Sequence, residues 1–231
     1  MIDISNSNID SKLWLLVSIL ITIIALPIYQ EFYMNDSFEF KLSNKTLIIA
    51  FTGLFFLEAG LYIVGYITNA GMSLNQKELV KLWATHNDQL YIYFVQSSIV
   101  TPIFEEILFR GVIYILIFKA INYISKNLNK DINTIKTNSI INFTFILVSS
   151  ILFAGIHLTD SFITALPYIY SGVLLAIIYV IAKNLLVTIL VHSLHNSMIF
   201  LNFNIKDTFI FISILIIVTL LIETIIRLNK N

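Results

Sequence analysis

The sequence contains no cysteine, which excludes disulfide bonds, thiolate catalysis and metal sites built on cysteine. Charged residues are scarce as well: they make up 12% of the 231 residues, whereas about 25% is usual in soluble domains. The 14 basic residues balance the 14 acidic ones and form no basic tract, so nothing points to a nucleic-acid partner. Three prolines and seven glycines are few enough to favour long helices over a barrel of short strands.

Hydrophobic residues make up 58% of the chain, and they gather into runs close to the 20 or so residues that a membrane-spanning helix needs. The runs cover residues 13–29, 46–68, 90–103, 105–124, 140–158, 162–182, 185–203 and 208–226. A polar stretch after the second run predicts a short interfacial helix near 77–83. Pro102 and the glutamates at 105 and 106 are expected to break the third run from the fourth. The sequence therefore predicts an all-α, polytopic membrane helical bundle of seven or eight membrane segments, with residues 1–231 in one membrane domain.

Basic residues near the C-terminal helices predict the orientation, because cytoplasmic loops are enriched in Lys and Arg. One side carries Lys119, Lys126, Lys130, Lys136, Lys183, Arg227 and Lys230, and the other carries only Lys206. The C-terminus is therefore expected in the cytoplasm. The side of the N-terminus depends on whether 90–103 spans or re-enters the membrane, and the charges slightly favour spanning. The abundance of Ile and Asn is typical of an AT-rich bacterial genome, so we expect a multi-pass protein of a bacterial cell membrane.

Two adjacent carboxylates and an arginine lie inside one of the most apolar parts of the chain. Charges within membrane segments are costly unless paired, and they usually mark a functional site. Residues four apart share a helix face, so Glu106 and Arg110 are expected to form a structural pair. Glu105 points to another side of the helix, which leaves it available as a general base.

Two further clusters of polar residues fall in later membrane segments. His157 ends one apolar run, and His192 and Asn196 lie four residues apart in another. A water held between Glu105 and His157 could attack an amide carbonyl, with His192 and Asn196 donating hydrogen bonds to the oxyanion. Glu105, His157 and His192 would also make an acceptable zinc set with water in the open position. Both interpretations stay open at this point, so the only cofactor considered is a divalent metal such as zinc.

These residues form three motifs in chain order: Glu-Glu-x-x-x-Arg at 105–110, Phe-x-x-x-His at 153–157 and His-x-x-x-Asn at 192–196. Together they resemble the signature of the CPBP family, the CAAX-protease and bacteriocin-processing (Abi) intramembrane proteases. The resemblance covers a core of about residues 95–203. It implies peptide-bond hydrolysis within the membrane, with Glu105 and His157 activating water and with His192 and Asn196 holding the oxyanion. It leaves open whether the mechanism uses a metal or the glutamate alone.

Two polar residues match no motif position. His195 lies three residues from His192, and packing or support of the site is its expected role. Glu58 is isolated near the centre of its apolar run, where it could reach Arg110, line a cavity or face a polar gap.

The sequence thus predicts an intramembrane endopeptidase that cuts a membrane-associated peptide or protein within the lipid bilayer. Maturation of a secreted peptide or pheromone, or self-immunity against a bacteriocin, are the roles considered. A non-catalytic immunity or scaffold protein with the same fold is the main alternative, and a transporter that uses Glu58, Arg110 and the glutamates is another. The substrate, the cleavage site, the side of the membrane to which the site opens and the oligomeric state stay open.

Overall fold

The computed structural model describes residues 15–24, 41–69, 71–85, 89–127 and 134–229. Within these ranges the chain is helical and contains no strand. The helices are α1 Leu15–Ile24, α2 Asn44–Thr68, α3 Leu74–Thr85, α4 Leu90–Asn127, α5 Thr134–Gly155, α6 Phe162–Ala182, α7 Leu185–Phe200 and α8 Ile205–Leu228. The predicted first run, 13–29, extends beyond the described residues at both ends.

Five of the described helices, α2, α4, α5, α6 and α8, are long and apolar enough to cross a membrane, and α1 and α7 are shorter apolar helices. Many large apolar side chains on these helices face outward, where lipid is the solvent. The chain is therefore a multi-pass membrane protein, and the predicted all-α membrane bundle is confirmed.

Local polar chemistry sets where several helices begin and end. Ser43 and Ser161 form capping boxes at the starts of α2 and α6, each with a threonine three residues later. Asn69 and Lys183 end the same two helices in the left-handed conformation, with φ of 49° and 50°. These polar residues thus determine where α2 and α6 begin and end.

The core lies where α2 packs against α6, α7 and α8, while α5 packs along α6. Leu54, Leu57 and Leu175 are among its fully buried side chains. Gly60 lies against the ring of Tyr170, whose hydroxyl donates to the carbonyl of Phe56 at 2.7 Å. The absence of a side chain at position 60 therefore lets α6 approach α2 closely, as small residues do in membrane bundles.

The predicted break at Pro102 is wrong, because α4 runs without interruption from Leu90 to Asn127. Two π-helical stretches, Gln96–Val100 and Ile107–Val112, flank the proline. In this register the N–H of Thr101 bonds to the carbonyl of Gln96, five residues back. Pro102 has no N–H to give to the next carbonyl, that of Ser97, which instead accepts a hydrogen bond from Asn196 Nδ2 at 2.9 Å. A side chain from α7 thus supplies the donor that the proline lacks, and the helix continues.

The continuity of α4 changes the predicted topology. At 1.5 Å per residue its 38 residues span about 57 Å, which is longer than the hydrocarbon core of about 30 Å. Residues 90–124 therefore cross the membrane once, as one helix, whereas the charge count slightly favoured two separate crossings by 90–103 and 105–124. A cytoplasmic C-terminus, as the basic residues predict, would with alternating crossings place α3 on the outer side.

The polar helix α3 is tied to the loop that joins α5 to α6. The N–H of Asn75 donates to the carbonyl of Leu158 at 3.0 Å, and Lys77 Nζ lies 3.5 Å from Asp160 Oδ2. The Ser73 hydroxyl is 2.7 Å from that of Tyr168 on α6. The predicted interfacial helix is therefore longer than 77–83, and it lies across one end of the bundle.

The topology can be tested with single cysteines, because the chain has none of its own. Lys81 and Lys126 are exposed and lie before and near the end of the crossing helix α4. We expect a membrane-impermeant maleimide to label Lys81→Cys in intact cells and Lys126→Cys only after permeabilisation. Labelling of both from the same side would contradict a single crossing, and the reverse pattern would contradict the predicted orientation.

Candidate active site

An ion pair with no exposure to solvent lies at the centre of the candidate site. Arg110 Nη1 donates to Glu106 Oε1 at 2.9 Å, and both side chains are 0% exposed. Arg110 Nη2 donates to the carbonyl of Gly172 on α6 at 3.2 Å. The guanidinium also lies over the ring of Phe153 on α5, 4.5 Å from its centroid. One buried cation thus joins α4, α5 and α6 and fixes the position of Glu106.

Glu106 also binds a histidine of α7. The spacing of Glu106 and Arg110 in the sequence predicts their own contact but not this one. Its Oε1 lies 2.8 Å from His192 Nδ1, and His192 Nε2 lies 3.7 Å from Glu105 Oε2. Because an ionised carboxylate only accepts, Nδ1 carries the proton in this bond. His192 is therefore oriented by Glu106 and presents its other nitrogen towards Glu105.

His157 is oriented by different contacts, in the turn that follows α5. Its Nδ1 lies 2.8 Å from the carbonyl of Phe153, and a carbonyl only accepts, so Nδ1 carries the proton there as well. The imidazole ring stacks on the ring of Tyr168, with centroids 4.1 Å apart. Burial lowers the pKa of His157 below its ordinary value, since a charged ring is poorly solvated there. His157 thus stays neutral at neutral pH, with a lone pair on Nε2.

A cavity of about 630 Å³ brings the predicted site residues together. Glu105, His157, His192 and Asn196 all line it, while Glu106 and Arg110 are buried behind its wall. The aromatic and apolar part of the lining includes Trp83, Tyr93, Phe153, Tyr168, Leu175 and Ile199. Residues of α3 also line it, so this helix contributes to the wall of the cavity as well as covering the end of the bundle.

The donor set fits a metal poorly. Among the described residues, no three His, Asp or Glu side chains are grouped closely enough to hold a metal ion. Glu105, His157 and His192, which the sequence offered as a zinc set, are therefore not grouped closely enough either. The Nδ1 bonds of His157 and His192 leave each Nε2 available, and metal-binding histidines commonly make such bonds, so the poor fit rests on the grouping alone.

A second acid and base pair lines the same cavity. Glu58 Oε1 on α2 lies 2.6 Å from His195 Nδ1 on α7. Glu58 shares its helix face with Leu61 and Gly65, which also line the cavity. Sequence reasoning noted both residues but did not connect them, because 137 residues separate them. The isolated charge in an apolar run was the available signal for Glu58.

The buried pair gives a stability prediction with a matched control. Removing one partner of a buried ion pair costs about 3–5 kcal/mol, so Arg110→Ala should lower the melting temperature in detergent strongly. The exchange Glu106→Arg with Arg110→Glu should not restore it, because position 106 must also accept from His192. Arg227 and Glu223 have the same spacing, but Arg227 is 76% exposed, so Arg227→Ala should cost only about 0.3–0.5 kcal/mol. An exchange variant that melts like the wild type would contradict the role of Glu106 towards His192.

Comparison with known proteins identifies the part of the chain that carries this site. The family of Rce1-like type II CAAX prenyl endopeptidases matches residues 87–198, which include all three motifs. No curated protein and no solved structure matches the chain. The family resemblance predicted from the motifs is thus confirmed. The match supports the general function of a CAAX-type intramembrane endopeptidase. Its partners would then be a protein substrate and the lipid bilayer. The segment that holds Glu105, His157, His192 and Asn196 is thus similar to the Rce1-like type II CAAX prenyl endopeptidases.

Proposed function

We propose that the chain hydrolyses a peptide bond of a membrane-associated peptide or protein, using a water activated by Glu105 and His157. The observation that carries the proposal is that Glu105 and the neutral, oriented ring of His157 line one cavity. This cavity is bounded by apolar and aromatic side chains, which suit a substrate segment that comes from the membrane.

The first step needs two hydrogen-bond acceptors for one water. Glu105 takes a proton from the water as general base, while the lone pair on His157 Nε2 accepts the other hydrogen and orients the oxygen. The water oxygen then bonds to the carbonyl carbon of the scissile peptide. The electron pair of the C=O bond moves to its oxygen, which becomes an oxyanion.

The second requirement is a pair of donors for that oxyanion. Asn196 uses one hydrogen of Nδ2 for the carbonyl of Ser97, and its second hydrogen is available for the substrate. His192 lines the cavity with Nδ1 held by Glu106, and it donates to the oxyanion from Nε2 when both ring nitrogens carry protons. A donor of this kind is worth about 2.7–4 kcal/mol of transition-state stabilisation.

The last step returns the proton. The tetrahedral intermediate collapses, the C–N bond breaks, and Glu105 gives its proton to the leaving nitrogen. The products are a peptide with a new carboxylic acid, which keeps the second hydrogen of the water, and a peptide with a new amine. Transfer of that acid proton to the amine gives the carboxylate and the ammonium group, so atoms and charges balance. Glu106 and Arg110 do not touch the substrate in this scheme and act by holding the ring of His192.

The substrate itself stays a prediction. Maturation of a secreted peptide or pheromone fits a cavity on the outer side of the membrane, the side predicted from the basic residues. Self-immunity against a bacteriocin has no specific observation in its favour.

The division of roles between the two glutamates can be tested by Glu105→Gln. The variant keeps the size of the side chain but loses the base, so cleavage should fall at least about 10²-fold. Peptidomics of secreted and membrane peptides from cells with either protein gives the activity and the substrate together. Glu78→Gln on the exposed face of α3 is the matched control and should cleave normally. Unchanged cleavage by a folded Glu105→Gln protein would overturn the proposed mechanism.

The metal question has a separate measurement. The poor donor grouping leads us to expect less than one zinc per chain in purified protein, with no change in His157→Ala or His192→Ala. A stoichiometric zinc that both substitutions remove would contradict a mechanism that uses the glutamate alone.

A further inference from the structure

Glu58, His195 and Gln96 are among the polar groups that line the cavity and have no part in the proposed mechanism. Glu58 and His195 are paired through one oxygen and one nitrogen, with side chains only 16% and 14% exposed. The second oxygen of Glu58, Oε2, is a further acceptor on the same carboxylate. Gln96 Oε1 is buried and has no hydrogen-bond partner among the described residues. The lining thus includes a carboxylate whose Oε1 is held by His195 and an amide oxygen without a partner.

Glu58 and Glu105 are carboxylates, and no Lys or Arg belongs to the described lining. His192, which is cationic in the proposed mechanism, already lies between Glu105 and Glu106. Arg110 is buried behind the wall, in contact with Glu106, the Gly172 carbonyl and the Phe153 ring. Lys77 on α3 extends to Asp160 on the loop between α5 and α6. A positive group that reaches Glu58 therefore meets a carboxylate without competition from a lysine or an arginine of the lining, whereas a negative group meets repulsion.

We infer that Glu58, together with Gln96 of the same lining, forms a subsite for a cationic side chain of the substrate, that of a lysine or an arginine. This inference rests on the proposed function, and it names a feature of the substrate that the family match leaves open. An ammonium or guanidinium group offers several N–H donors, and Glu58 Oε2 and Gln96 Oε1 are acceptors that can take them. Trp83 and Tyr93 line the same cavity and suit the apolar stem and the charge of such a side chain.

His195 has a positioning role in this subsite. Its Nδ1–H holds one oxygen of Glu58, which turns the other oxygen towards a ligand. The subsite also disfavours a carboxylate on the substrate in this part of the cavity.

Binding to a variant that does not cleave separates this inference from the proposed reaction. The probe is a fluorescein-labelled, C-terminally amidated peptide rich in leucine and alanine, with one central residue that is Lys, Gln or Glu. Its Kd for the Glu105→Gln protein in detergent micelles is measured by fluorescence anisotropy. We expect the Lys peptide to bind about 10- to 100-fold more tightly than the Gln peptide, as hydrogen bonds to a charged group allow, and the Glu peptide to bind most weakly.

The subsite variants are made in the same Glu105→Gln background. Glu58→Gln should remove the preference for Lys, and Gln96→Leu should reduce it, while Glu78→Gln on exposed α3 should leave it unchanged. Gln96→Leu also keeps the test available if Glu58→Gln does not fold, because it replaces a buried acceptor without a partner by an apolar group of similar size. Equal binding of the three peptides, no binding of any, or a Lys preference that survives both subsite substitutions would overturn the inference.

Cleavage of the same peptides by the wild type is scored separately. Selective binding of the Lys peptide without any cleavage would count against the proposed reaction and leave the cationic subsite standing. Cleavage of all three peptides at equal kcat/KM would support the proposed reaction and count against the cationic subsite.

Discussion

The buried ion pair between Glu106 and Arg110 is the interaction on which the rest of the site depends. A guanidinium with no exposure needs partners, because an unpaired charge in this environment is very costly. The carboxylate of α4, the Gly172 carbonyl of α6 and the Phe153 ring of α5 provide its contacts, while Arg110 Nε and Glu106 Oε2 have no hydrogen-bond partner among the described residues. Since Glu106 Oε1 also binds His192, the contacts that satisfy Arg110 set the direction of a ring on α7. Stability and the geometry of the candidate site therefore have the same physical cause.

A second constraint is that backbone groups inside a membrane must find partners within the protein. Pro102 removes one donor from the middle of α4, only three residues before Glu105. The response is a π-helical register on either side of the proline and an amide from α7 on the Ser97 carbonyl. Asn196 is thereby fixed by one of its two N–H groups, and the proposed mechanism uses the other for the oxyanion, which a side chain with a single donor could not do.

The parts of this site that sequence reasoning reached are those set by local spacing. Glu106 and Arg110 lie one helical turn apart, so their contact follows from helix geometry alone. The bonds from His192 to Glu106 and from Glu58 to His195 cross 86 and 137 residues, and no local pattern determines them. The continuity of α4 was missed for the same reason, because the donor that compensates for Pro102 comes from α7. The family match begins at residue 87 and so leaves out α2, which supplies Glu58.

The proposed mechanism places two demands on one small volume. A general base at Glu105 has to be ionised, while stabilisation of an oxyanion requires donors within reach of the same carbonyl. Arg110 cannot supply the positive charge, because it is buried behind the wall with Glu106. His192 lines the cavity between Glu105 and Glu106, so it is the group placed to offer a donor there. A histidine can take up and release a proton, whereas a guanidinium stays charged, so a buried arginine behind a histidine of the lining suits a reaction that moves protons in each direction.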